Sequence, residues 1–381
     1  MPVSGGLDLR ILFIGGEDSL PSDLIELVAG MDDDWDVQSV GDGTTAIALA
    51  ADVSQDVVVV APTLPDMTPA TLLGQIRTLR PETSRIALIG TQPSARVLSL
   101  AHRFLPLPLG EAELLEAIGS LEELRELLDN PELRERIGRI EQLPSPPQTY
   151  LALMHALESD ADSSANDIAQ LISADPAIAA KVLQLCNSAY FSAGRTISDL
   201  RTAVTRLGLS TMRDLVLASE VFSRPDDRTI DHVALQRRAL FASQLARRML
   251  PESSAELGAT AALLADIGLL LPGVRDELGD AETDREANAD ALRHTEAGAY
   301  LLGLWGLPMP IIEAVAFQRD PARSGTRSFW VTGAVHVATS LVSGHPVQTE
   351  YLQRTGVLDK LDGWQSHAER LLERDASAAG R

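Results

Sequence analysis

Asp56-Val57-Val58-Val59-Val60-Ala61, read DVVVVA over 56–61, decides the fold of the first third of the chain. Successive strand side chains point to opposite faces, so four consecutive valines cannot belong to a strand with one wet face. They fit a central parallel strand covered on both sides. Outward from it, helix and strand patterns alternate. RILFIG (10–15), WDVQSV (35–40), RIALIG (85–90) and FLPLPL (104–109) read as the other strands. LIELVAGM (24–31), TTAIALAADV (44–53), TPATLLGQIRTLRP (68–81), ARVLSLAHR (95–103) and EAELLEAIGSLEELRELL (111–128) read as helices. The pattern predicts an α/β doubly wound five-stranded parallel sheet with helices on both faces. Such sheets carry their functional site at the carboxyl ends of the strands. Here those ends are Gly15, Gly16 and Glu17, then Ala61, Gly90 with Thr91, and Leu107-Pro108.

The chain has 381 residues, which at about 150 residues per domain suggests two or three domains. We expect an α/β domain over 1–120, a helical connector over 121–142 and an all-α domain over 143–381. The connector carries a leucine stripe, Leu121, Leu124, Leu127 and Leu128, with Pro131 as a break and Asp129 or Asn130 as a cap. The stripe suits a helix packed on its own domain, or a signalling helix or dimer seam. Beyond it, Ser164-Ala165-Asn166-Asp167 reads as a capping box and Asp175-Pro176 as a second helix start.

The formal net charge is −22 and aromatics are 4%. Such a chain is repelled by a phosphate backbone and offers few stacking surfaces, so nucleic acid is not the expected partner. TAVTRLGLSTMRDLV (202–216) has the outline of a helix-turn-helix, but its second helix offers only Arg213 beside Asp214. The acidic run 275–293 reads as a solvated helix or loop, or as a dock for a basic partner. The single cysteine, Cys186, excludes an internal disulfide and multi-cysteine zinc sites and fits a reduced compartment. It reads as an inert core thiol, and Trp305 as a core residue. The most apolar stretch, AALLADIGLLLPGV (261–274), is short for a membrane span and carries Asp266. MPVSGGLDLR does not read as a secretory signal. A cytoplasmic protein is expected, with no membrane partner.

PTLPDM (62–67) resembles the loop after the phospho-acceptor strand in the receiver domains of response regulators, and Leu107-Pro108 resembles their Lys-Pro. The resemblance covers the first 120 residues or so. It implies an acidic pair that helps to hold Mg²⁺ after the first strand and an aspartate that accepts phosphoryl at the end of the third. It also implies a hydroxyl after the fourth strand and a lysine after the fifth. Those positions hold Gly15 and Gly16, Ala61, Gly90 (Thr91 if the register moves by one) and Leu107. Phosphoryl transfer needs a nucleophile and neutralising charge, and none of these side chains supplies either. Glu17 and Asp18 lie close by and read as a solvated loop.

The run 171–216, LISADPAIAAKVLQLCNSAYFSAGRTISDLRTAVTRLGLSTMRDLV, is similar to the opening of the HDOD family, a signalling relative of the HD phosphohydrolases. ALLADIG (262–268) and HTEAGAYLLGLWGLPMPIIEAVAFQRDP (294–321) resemble its later signatures. In HD enzymes, His and Asp side chains bind metals that activate water. The resemblance places the first His at Arg238, the His-Asp pair at Ala265-Asp266, a further His at His294 with Glu296 following, and the His-His at Gln318-Arg319. One carboxylate and one imidazole fall short of a catalytic metal site. Asp266 reads as a buried acid held by backbone N–H groups or Arg238, and His294 as a capping or hydrogen-bonding residue.

The sequence thus predicts a non-catalytic signalling protein that acts through protein–protein contact without cofactor or metal. The resemblance implies sensor kinases or cyclic-di-GMP turnover enzymes as partners, and a homodimer stays open. Two alternatives remain. One is a metal-dependent phosphohydrolase using Asp266, His294 and Glu296. The other is a sensor of a cyclic dinucleotide or other small molecule in the vacated pocket around Arg238, Ala265, Asp266, His294, Glu296, Gln318 and Arg319.

Overall fold

The computed structural model describes residues 9–32, 35–90, 94–140, 143–144, 164–187, 197–206, 222–223, 231–275 and 292–379. Strands β1 (Leu9–Ile14), β2 (Trp35–Val40), β3 (Val57–Val60), β4 (Ser84–Ile89) and β5 (Arg103–Pro106) form one parallel sheet in the order β2-β1-β3-β4-β5. All four valines of the central strand are buried. Helices α1 (Ser22–Ala29), α2 (Gly43–Asp52), α3 (Pro69–Leu79), α4 (Ala95–Leu100) and α5 (Glu111–Leu127) complete the alternation. Side-chain caps fix three helix starts: Asp42 accepts from Thr45 N, Thr68 from Thr71 N and Ser94 from Val97 N. The last strand stops at Pro106 rather than continuing to Leu109. Pro106 and Pro108 lack an N–H for a ladder, and the Leu107-Pro108 peptide is cis.

α6 (Pro131–Gly138) starts where the sequence places it, with Asn130 accepting from the Glu132 and Leu133 N–H groups. The leucine stripe behaves differently from either sequence reading. Leu121, Leu124 and Leu128 are buried, and α5 and α6 pack on a helix of the second half, His294–Leu304. The stripe is a seam inside one chain, and one apolar core runs through both halves.

The second half is helical. Its described helices include α7 (Ala165–Ser173), α8 (Pro176–Asn187), α9 (His232–Met249), α10 (Glu252–Leu264), α11 (His294–Leu304), α12 (Met309–Ala316), α13 (Val331–Ser343), α14 (Thr349–Arg354) and α15 (Leu361–Ala379), and residues 200–206 are helical as well. The capping box at Ser164 and Asp167 forms as read, and Asp175 accepts from the Ala177 and Ile178 N–H groups. α15 continues through Asp375–Ala379, where alanine's high helix propensity carries it on. Val274–Arg275 pairs with Leu292–Arg293, joining the two ends of the acidic run, whose residues 276–291 lie outside the described ones. The second half of the helix-turn-helix candidate (207–216) lies outside them too.

Among the described residues, Glu252–Leu270 is long and apolar enough by composition to cross a membrane, with 67% of it buried in the protein. The sequence reading set the apolar run at 261–274; the helix begins earlier, which lengthens it. Its packing is that of a core helix.

Three buried cations mark the seam between the halves. Arg103 on β5 donates from Nη2 to the Gly303 carbonyl (2.7 Å), from Nε to Leu304 O (3.2 Å) and from Nη1 to Ala117 O (2.7 Å). Arg85 on β4 donates to Leu100 O (2.8 Å) and Gly138 O (2.9 Å). Lys181 on α8 lies over the Trp305 ring, with Nζ 5.3 Å from its centroid. Burial lowers Arg103 to about 10, Arg85 to about 9 and Lys181 to about 7. The guanidinium fork suits the two arginines to such carbonyl clasps.

Candidate functional site

At the carboxyl edge of the sheet, Gly15 and Ala61 sit side by side. Ala61 is 0% exposed, and its N–H donates to Ile14 O (2.9 Å). Gly15 has φ +152°, and a Cβ there would overlap the Ala61 methyl. At the two places where the receiver resemblance puts the acceptor and one acidic residue, a backbone and a methyl group thus meet. Gly16 is exposed, Gly90 is half-buried, and Leu107 packs against the core. Thr91 lies outside the described residues. Glu17 and Asp18 stay in an exposed loop, where Glu17 accepts from Ser22 Oγ (3.4 Å). This set does not fit Mg²⁺, which needs convergent oxygen ligands.

The PTLPDM loop has acquired a structural job. Asp66 reaches the start of α2 and accepts from Gly43 N (3.0 Å), Thr44 N (2.8 Å) and Thr44 Oγ1 (2.6 Å). These bonds, the Thr44 hydroxyl first, lower its carboxyl to about 2. The sequence reading passed over this tie. Its only local trace is an acid in the loop facing Gly43-Thr44, an unsatisfied helix start.

In the helical half, α10 ends at Leu264 and Asp266 follows at the turn into a short 3₁₀ segment, Ile267–Leu270. Gly268 lets this turn lie against α11; a Cβ there would overlap the His294 carbonyl. That approach brings Asp266 Oδ1 to 3.4 Å from His294 Nε2. His294 is fully buried and Asp266 is 8% exposed. Arg238, on α9, sits with Nε 4.0 Å from Asp266 Oδ2. Burial raises the Asp266 carboxyl, but the hydrogen bond and charge of His294, with Arg319 and Arg238, outweigh it and hold it below the usual range. Asp266 therefore faces side chains, the His294 imidazole and the Arg238 guanidinium, rather than the backbone N–H groups the sequence allowed. His294 opens its helix without making a side-chain cap.

The other sequence-singled residues go elsewhere. Glu296 pairs with Arg293 (3.6 Å). Ala265 lends its carbonyl to Gln318 Nε2 at 2.5 Å. The Gln318 carbonyl takes a bond from His336 Nδ1 (2.7 Å), while Gln348 N donates to His336 Nε2 (2.9 Å). Because Nε2 accepts, the proton sits on Nδ1, and burial, the first cause, lowers the imidazole's pKa. Gln318 is a strut in a hydrogen-bonded chain. His336 escaped the sequence reading; its signal was a lone histidine on the apolar helix VTGAVHVATSLVS. Cys186 is buried and donates to Ala203 O at 3.6 Å, and burial pushes its thiol up to about 12. Trp305 is 6% exposed, a core residue.

Between Arg238, Ala242, Ala262, Asp266 and Thr339 the side chains close up, leaving no volume that admits a water molecule. Among the described residues no three His, Cys, Asp or Glu side chains converge as a metal set. Asp266 and His294 with a guanidinium beside them do not fit a catalytic metal.

The HDOD domain family matches residues 143–321. An uncharacterized protein of Treponema pallidum (strain Nichols) is 28% identical over 198 residues, 48% of this chain and 38% of that protein's length, so only a minor part of the relative is spanned. The crystal structure of the MmoQ response regulator of Methylococcus capsulatus is 23% identical, covering 59% of this chain and 98% of that one with a TM-score of 0.47. The signal receiver domain of an HD domain-containing protein from Pseudomonas fluorescens is 27% identical, covering 32% of this chain and 90% of that one with a TM-score of 0.29. Residues 143–321 are an HDOD domain, and the five-stranded parallel sheet before them is consistent with a receiver domain.

Proposed function

We propose that this chain is a signalling protein that recognises partners and catalyses nothing. The observation that carries this reading is the state of its two inherited sites. Ala61 lies against Gly15 where a phosphoryl acceptor and its metal would need to be, and Arg238 stands beside Asp266 in a space without room for water. Recognition is then the remaining use of the surfaces. The clasp of Arg103 on the Gly303 and Leu304 carbonyls supports a coupled pair of domains, in which a partner bound to one biases the other. By likeness to the receiver and HDOD families the partners are sensor kinases or cyclic-di-GMP turnover enzymes, in the cytoplasm.

Purified full-length protein is incubated with acetyl phosphate and Mg²⁺, then with phosphodiester substrates and Mn²⁺. The reading expects no phosphoryl adduct and no turnover. An adduct on the first domain, or hydrolysis abolished by Asp266→Ala, overturns it.

A further inference from the structure

The closed HD-type space lies on one side of α9. On the other side of the same helix is an open cleft of about 670 Å³, within the range of roughly 300–1,000 Å³ typical of small-molecule sites. Helical spacing builds it. Asn166 and Gln170 line it from α7, Ser243 and Gln244 from α9, and Thr260 from α10. Among the described residues none of these five side chains is engaged in a hydrogen bond. Ser243 and Thr260 are nevertheless 9% and 5% exposed, so two buried residues present hydroxyls to the cleft without a protein partner. Buried polar groups normally find partners, so these hydroxyls await one. Ala169, Leu200, Leu240 and Leu263 supply an aliphatic floor.

The charges at the rim narrow the ligand's chemistry. Arg247 is held by Glu256 through two 2.9 Å bonds, and Asp199 is turned to the Thr202 N–H at 2.7 Å. Arg201 is left with a guanidinium free to meet an anion. Three carboxamides that both donate and accept suit the mixed edge of a heterocycle. The aliphatic lining suits its face.

We infer that this cleft is a nucleotide site, with the base against the leucine floor, its edges read by Gln170, Gln244 and Thr260, and the phosphate at Arg201. The site goes beyond the non-catalytic reading and stands apart from it. It gives the protein a soluble input next to the helices that carry Arg238 and Asp266.

The test is isothermal titration and thermal shift of the full chain with AMP, GMP, cyclic di-AMP and cyclic di-GMP, with ribose 5-phosphate and guanosine as partial probes. At least one nucleotide is expected to bind and to raise the melting temperature, since a ligand of the folded state stabilises it. Gln170→Ala with Gln244→Ala is expected to weaken it at least about tenfold, equivalent to about 1.4 kcal/mol. Arg201→Gln is expected to weaken the nucleotide and leave the nucleoside unchanged, and Arg238→Gln to change neither. No binding of any nucleotide at millimolar concentration, or equal affinity in the Gln170/Gln244 variant, overturns the inference. Recovery of hydrolysed nucleotide would overturn the non-catalytic reading while leaving the site in place.

Discussion

The two halves differ in what stands at the sites their family likenesses point to. At the carboxyl edge of the sheet, Gly15 and Ala61 are small, neutral and in contact. The HDOD half has kept an acid and an imidazole, Asp266 and His294, and set Arg238 beside them. The first solution needs no electrostatic compensation. The second leaves buried charge that must stay balanced. An emptied site can therefore be silent in packing or silent in charge, and the two respond differently to substitution.

Ala61→Asp is expected to break the comparison most severely. It places a carboxylate at a fully buried position with no cation beside it, where an uncompensated charge costs about 3–5 kcal/mol. Urea unfolding reads the loss, and acetyl phosphate is expected to leave the variant unlabelled because Gly15, Gly16 and Leu107 still supply no charge. Asp266→Ala comes next. Removing the acid leaves the buried His294 Nε2 without the carboxylate beside it, at a cost of about 1–3 kcal/mol in the same experiment. The Asp266 contribution is present above the usual carboxylate pKa of 3.8 and is lost as pH falls through its lowered folded value.

Lys181 sharpens the contrast from the seam. Its pKa is about 7 in the fold against an ordinary 10.5. Between those values the unfolded chain holds a proton that the folded chain has released, so stability rises with pH across that window and is flat below it. Lys181→Met is expected to remove a slope of up to about 1.4 kcal/mol per pH unit. Unfolding free energies measured across the window in both proteins check it. Arg238→Gln gives the smallest effect, under about 1 kcal/mol, because its 4.0 Å pair with Asp266 is loose and its side chain is 36% exposed.

Local signals account for what the sequence made legible. DVVVVA places the central strand because burial on both faces is written in four adjacent residues, and the caps at Ser164 and Asp175 are written within three. Asp266 and His294 were legible as a motif, though Gly268, which brings them together, acts only through space. Arg103 was invisible. In ARVLSLAHR it reads as an ordinary helix arginine, and its carbonyl partners lie 200 residues away. The leucine stripe of α5 was legible as apolar, but the surface that covers it is α11, which no period in α5 encodes. The same applies to the Gln318–His336–Gln348 chain and to the cleft, each assembled from separate helices.

The central claim is that both inherited sites recognise without reacting. Steady-state hydrolysis of phosphodiester substrates by the metal-supplemented full-length protein, run beside Asp266→Ala, tests it most directly. The account predicts rates at the no-protein background for both. Turnover above background that disappears in the Asp266→Ala protein would contradict it.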